Sequence, residues 1–138
     1  MGFSLMTLPT PRDAAISDIA TLLVHTEREK EAARLFLEWF ISRQGRATKK
    51  EVSGFAHRLA SGKMSFGYGR TTFYRYVLRP FLDSSLIELE NEIDHASGRT
   101  INKYRRIIQP VKRRRPSGPS LFYNAHLLAE KWNWLFGA

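Results

Sequence analysis

Between residues 10 and 82 the apolar residues recur at helical spacing, and after Asp83-Ser84-Ser85 they alternate. Ile87, Leu89 and Ile93 face one way while Glu88, Glu90, Glu92 and Asp94 face the other, the pattern of a half-buried strand. His95-Ala96-Ser97-Gly98-Arg99 is a turn signal, and TINKYRRIIQP reads as the returning strand. Residues 86–109 are therefore expected to form a β-hairpin with its tip near His95–Arg99. Helices that give way once to a hairpin limit the chain to a mainly α fold with a small β-hairpin (α+β).

Four helices are expected before the switch. Thr10 can cap the first, Pro11 suits its first position, and Asp13 complements the positive end of its dipole. Ile16, Ile19, Ala20 and Leu23 fall on one stripe, placing that helix at about 11–24. The second, from about Glu27 to Arg43, turns Ala32, Leu35, Phe36, Trp39 and Phe40 inward. Leu37 and Ile41 add a further apolar side, which a terminal helix should cover. Gly45 ends it. Thr48 and Glu51 form a capping box opening the third helix, whose inner face is Val52, Phe55, Ala56 and Leu59 and whose stop is Ser61-Gly62.

The loop GKMSFGYG leads into RTTFYRYVLRPFL, the fourth helix. Phe73, Tyr76, Val77 and Phe81 share one face, with Thr71, Arg75 and Arg79 opposite. Leu78 does not fit the polar face, and Pro80 should kink or end the helix. At the far end Ser120 is expected to cap a last helix whose stripe includes Leu121, Ala125, Leu128, Ala129, Trp132 and Phe136.

Charge is segregated. The formal net charge is +9. Residues 46–82 hold 8 basic and 1 acidic side chains, 83–98 hold 0 and 5, and 99–118 hold 8 and 0. A fold that brings the two basic blocks together makes a strongly positive face suited to a polyanion. The chain has no cysteine, which excludes disulfides and thiolate metal or nucleophile chemistry. No signal peptide or membrane-length apolar run is visible, so the expected location is cytoplasmic and no membrane partner is expected.

RTTFYRYVLRPFLDSSLIELENEID resembles the recognition helix and first wing strand of the winged helix-turn-helix superfamily, and the resemblance covers about residues 27–110. It implies a winged helix-turn-helix core with added N- and C-terminal helices. The corresponding division is an N-terminal extension at 1–26, the winged domain at 27–110, a basic linker at 111–119 and a dimerisation helix at 120–138. The glycine-rich loop and Pro80 depart from the family's tighter turn and regular helix. The resemblance further implies that the helix from about Arg70 enters the major groove of DNA.

Read from chemistry alone, Arg75 and Arg79 share a face with Thr71 and Thr72, and together with Arg70 they suit guanine edges and phosphates. Arg46, Lys49 and Lys50 stand at the start of the third helix, where phosphates are often met. Arg99 is expected to touch DNA from the hairpin tip. Lys103 and Arg105 share one strand face and either join it or pair across the hairpin with Glu88, Glu90 or Glu92; Arg106 lies on the other face. Lys112-Arg113-Arg114-Arg115 reads equally as a phosphate-tracking arm, an import signal or a solvated linker.

Enzyme readings fare worse. A metal-dependent nuclease needs a lysine on the acidic face beside a partner acid upstream, but the third position of the acidic strand is Glu90, not lysine, so its alternating acids read as a solvated face, and the four histidines show no ligand spacing. No enzyme activity, cofactor, metal or small-molecule effector is expected. The expected function is sequence-specific binding of double-stranded DNA by a transcriptional regulator. A replication or plasmid-maintenance protein is the nearest alternative, and a winged protein-interaction module the alternative of another class. The apolar last helix suggests a homodimer joined through Leu121, Phe122, Ala125, Leu128, Trp132, Leu135 and Phe136.

Overall fold

A computed structural model describes residues 10–63, 66–110 and 121–137, with the backbone alone at 121–123. The elements are α1 (Pro11–Leu23), α2 (Glu27–Ser42), β1 (Arg46–Thr48), α3 (Lys49–Ala60), α4, β2 (Ile87–Ile93), β3 (Thr100–Arg106) and α5 (Leu121–Leu135). Helix α4 is continuous but mixed: Arg70–Phe73 is α, Tyr74–Leu78 is a π-helical turn and Arg79–Asp83 is α again. The described residues are thus mainly helical with one small antiparallel sheet, ordered β1-β3-β2. No helix among them is long and apolar enough to cross a membrane.

Local chemistry accounts for the helix starts. The Thr10 hydroxyl accepts the Asp13 N–H at 3.0 Å, and Thr48 with Glu51 makes the expected capping box. A second capping box, Thr26 with Glu29, opens α2 and was not anticipated. Each capping box satisfies two otherwise orphaned N–H groups, and the Thr10 cap satisfies one.

The core is organised around α2. The Phe36 ring lies 5.4–6.1 Å from those of Trp39, Phe40, Phe55, Phe73 and Phe81, so one side chain links α2 to α3 and α4. The expected inward set needs one adjustment: Ala33 and Leu37 are fully buried, whereas Leu35 and Trp39 are only partly so. On the second apolar side of α2 Leu37 is fully buried and Ile41 partly so; α1 packs along α2, and Phe136, just past α5, meets Phe40 edge-on at 6.1 Å. Ile16 and Ile19 of α1 and Trp132 of α5 belong to the same core cluster as Phe55 and Val77, so packing does not separate the extensions from the middle of the chain.

Two expectations about faces fail. Tyr76 is not in the core but 45% exposed, and Leu78 is buried instead. The π-helical turn explains both. It adds a residue to one turn, so the inward sequence becomes Phe73, Val77, Leu78 and Phe81. Its cause is Pro80, which has no N–H and whose ring would crowd the Tyr76 carbonyl in a regular α-helix; the widened turn relieves that crowding without ending the helix. On β2, only Ile87 of the apolar face is buried, while Leu89 and Ile93 are exposed at 43% and 62%, because the hairpin runs past the edge of the core.

Strand β1 was not foreseen. Its three residues pair with β3, matching Arg46 to Arg105, Ala47 to Tyr104 and Thr48 to Lys103. Gly45 makes this docking work. Its φ is +74°, its carbonyl accepts the Arg106 N–H at 2.8 Å, and Arg106 also donates to the Gln44 carbonyl at 2.7 Å. A Cβ at Gly45 would lie 2.7 Å from Arg106 Cγ. Gly45→Ala is therefore expected to cost about 1–3 kcal/mol from backbone strain and displacement of Arg106. Urea unfolding checks this, and a loss below half that range would show that the α2–β3 junction relaxes freely.

Candidate nucleic-acid interface

Helix α3 starts directly from β1, and β1 is held to β3, so the base of the hairpin is fixed against the start of α3. Lys49 and Lys50 occupy the exposed first turn of α3. Glu51, the one acid of the 46–82 block, is consumed twice: it takes the Thr48 N–H in the capping box and pairs with Arg43. No carboxylate pairs with Lys49 or Lys50 among the described residues. Two lysines at the positive end of a helix dipole work against the helix, each by about 0.3–1 kcal/mol.

The loop before α4 is anchored rather than tight. Arg28 of α2 donates to the Gly67 carbonyl at 2.6 Å, and its guanidinium lies over the rings of Phe66 and Tyr68, at 4.9 and 5.8 Å. The Tyr68 N–H donates to the Leu59 carbonyl at 3.1 Å. Burial pushes the Tyr68 phenol up, with the neighbouring Glu29 charge adding to it. Arg28 thus ties α2 to the end of α3 and the entry of α4. Sequence reasoning missed this residue, and only its long-range partners reveal it.

On α4, Arg70 is exposed and donates to the Ser53 hydroxyl at 3.2 Å, bridging to α3. Thr71 is exposed, while Thr72 is half-buried against Gly69. Arg75 is exposed and lies 5.4 Å over the Tyr76 ring, with no ion pair among the described residues. Arg79 sits 3.5 Å from Asp83, one turn along, in a largely solvated pair. Such a pair is weak and leaves Arg79 able to exchange partners.

The hairpin settles how Lys103 and Arg105 are placed. Its register sets Glu88 opposite Arg105 and Glu90 opposite Lys103. Arg105 pairs with Glu88 and Glu90, and Lys103 reaches Glu92 at 2.7 Å. The hydrogen bond from Lys103 holds the Glu92 carboxyl below its usual range, helped by the charges of Lys103 and Arg46; the hydrogen bond that Arg105 donates to Glu88 holds its guanidinium above its own, helped by the Glu90 charge. The cross-strand alternative is thus the arrangement found, and Arg46 faces this ladder from β1. Arg106 is on the other face, over the Phe136 ring at 5.3 Å.

At the tip, Asp94 folds the turn by accepting the Ala96 N–H at 3.0 Å and the Ser97 hydroxyl at 2.9 Å. Arg99 is left exposed there with no ion pair among the described residues. Of all the acidic side chains, Asp13 alone makes no hydrogen bond or ion pair within the described residues, whereas Arg12, Arg28, Arg46, Lys49, Lys50, Arg58, Lys63, Arg70, Arg75, Arg99 and Arg106 form no ion pair with an acid there. Among the described residues no group of three or more His, Asp or Glu side chains converges as metal ligands would.

The expected dimer stripe is largely spent inside the chain. Trp132 is fully buried, against Phe81 at 6.0 Å and Phe136 at 4.8 Å, and its indole N–H donates to the Ile107 carbonyl at 2.9 Å. Leu128, Leu135 and Phe136 pack against the same core, and Ala125 is exposed. The side chains of Leu121 and Phe122, the Ser120 cap and the basic run 112–115 lie outside the described residues. Helix α5 is so apolar because it closes the fold over α1, where Lys131 also meets Asp18 at 2.9 Å. Comparison with protein-family models, curated proteins and solved structures finds no match.

Proposed function

We propose that this chain is a winged helix-turn-helix protein that binds duplex DNA in a sequence-specific way, with α4 as the reading helix, α3 on the phosphate backbone and the β2–β3 hairpin as the wing. The observation that carries the reading is the charge matching: the hairpin acids are all engaged, while among the described residues the cations that pair with no acid lie mostly on α3, α4, the loop between them and the sheet with its hairpin tip, Arg12 of α1 and Arg28 of α2 being the exceptions. Further support comes from the element order, two helices followed by a hairpin whose base is held to α3 by β1. The contact set within this proposal is Lys49, Lys50, Arg70, Thr71, Arg75 and Arg99. Arg79 is a secondary member, and Arg46, Lys103 and Arg105 serve mainly to neutralise the wing.

A role in regulating transcription is part of the same proposal and rests on the type of domain alone. The homodimeric form rests on less. With Trp132 internal, a second copy is left with Leu127 and the exposed Trp134, at the rim of a groove between α1 and α5 lined also by Pro11, Ala14 and Ala15. Sedimentation of the full chain at micromolar concentration tests it, and a monomer removes the dimer while leaving the duplex reading intact.

The experiment for the main reading is site selection on random duplexes followed by binding across a salt series. A steep fall of affinity with salt is expected, with a preferred site tighter than random sequence. Arg75→Ala should cost about 1–3 kcal/mol on the preferred site and little on random duplex. Arg99→Ala should weaken all duplexes alike and lower the salt slope by about one. Salt-insensitive or absent duplex binding would favour a protein-interaction module instead.

A further inference from the structure

Tyr76 is the residue whose placement departs most from what its sequence context requires. Helical periodicity assigns it to the core, yet the π-helical turn at Tyr74–Leu78 hands the inward place to Leu78 and turns Tyr76 out beside Arg75. The Arg75 guanidinium lies 5.4 Å from the centre of that ring, and the ring is its one partner among the described residues. A guanidinium stacked on an aromatic face is held in position without a carboxylate competing for its donors, so its fork stays available. The unit therefore offers two chemistries side by side: a planar pair of N–H donors and an exposed apolar ring edge.

The major groove contains a matching pair. Guanine presents two acceptors, O6 and N7, suited to the arginine fork, and thymine presents the C5 methyl group, the one apolar feature of the groove. We infer that Arg75 and Tyr76 act as a single reading unit for a guanine with a neighbouring thymine, Arg75 bonding the guanine and Tyr76 covering the thymine methyl. Tyr76 is then a specificity-determining residue. This rests on the duplex-binding reading above and adds to it the chemistry of the step that is read.

The test compares wild type, Tyr76→Ala and Tyr76→Phe on three probes: the selected duplex, the same duplex with the neighbouring thymine replaced by deoxyuridine, and random duplex. Deoxyuridine removes the methyl group and nothing else. Wild type and Tyr76→Phe are expected to bind the deoxyuridine duplex about fourfold more weakly, the worth of one buried methyl-sized group. Tyr76→Ala is expected to bind the selected and the deoxyuridine duplexes equally. Far-UV circular dichroism should show all three folded, since Tyr76 is half exposed.

A Tyr76→Ala protein that still tells thymine from deoxyuridine overturns the inference, as does a selected site lacking a guanine–thymine neighbour pair; both leave the duplex-binding proposal standing. Wild type that binds no duplex in a salt-sensitive manner removes both.

Discussion

Trp132→Ala is expected to lower the unfolding free energy by about 3–5 kcal/mol, the range for deleting a large buried aromatic from a core. Against a typical total of about 5–15 kcal/mol, that brings the chain near its unfolding threshold. The loss has two parts. The cavity leaves the Phe81 and Phe136 rings without their neighbour, and the Ile107 carbonyl loses its indole donor. Trp132→Phe keeps most of the ring volume and should cost markedly less. The latch has a second element: Asn133 accepts the Gln109 N–H and donates to the Gln109 carbonyl, each at 2.8 Å. Urea denaturation of the two variants decides the matter. If Trp132→Ala costs less than about 1 kcal/mol, α5 is an ornament and not the closing piece of the fold.

The second large effect is on binding. Replacing Lys49, Lys50 and Arg99 together with alanine should lower the salt slope by about 2.7, from about 0.9 per phosphate contact, and weaken duplex binding at about 0.1 M salt by several hundredfold. Stability should move the other way. Two lysines at the positive end of α3 oppose the helix dipole, so their removal is expected to raise the thermal midpoint slightly. Stability conceded at a site that binding repays is the usual sign of a functional surface. A triple variant with unchanged salt dependence would show that these cations never meet phosphate, whatever its stability.

Much of this fold could be read from residue order because its local signals agree. Thr10 with Pro11, Thr48 with Glu51, and the turn centred on Ser97-Gly98 each mark a boundary that the structure contains. What could not be read depends on distant partners. β1 is three residues long and has no alternation of its own; its existence depends on Ala47 and its neighbours finding β3 about 57 residues later. Arg28 reads as one more charge on α2 until the loop carrying Phe66 and Tyr68 folds beneath it.

Tyr76 is an intermediate case. Leu78 on the wrong face and Pro80 four residues after Tyr76 both signalled a disturbed turn, but not which way the register would move. The excess apolar surface of α5 was visible, and its destination was not: an amphipathic pattern cannot distinguish burial against the chain's own α1 from burial against a second copy.

The pairing of acids within the fold also bears on how the molecule approaches a partner. Along α2, Glu27, Glu31 and Glu38 are neutralised by Lys30 and Arg34 within a turn of the same helix, so that region projects little field. The cations of α3, the entry of α4 and the hairpin tip have no such company. A neutral patch and a charged patch on one body make a permanent dipole, and a dipole is turned by the field of a polyanion before any surface touches. With a Debye length of about 10 Å at 0.1 M salt, that torque acts over the last few water layers of approach. If duplex DNA is the partner, as proposed, orientation is set during diffusion, and fewer encounters are wasted on the wrong side of the molecule.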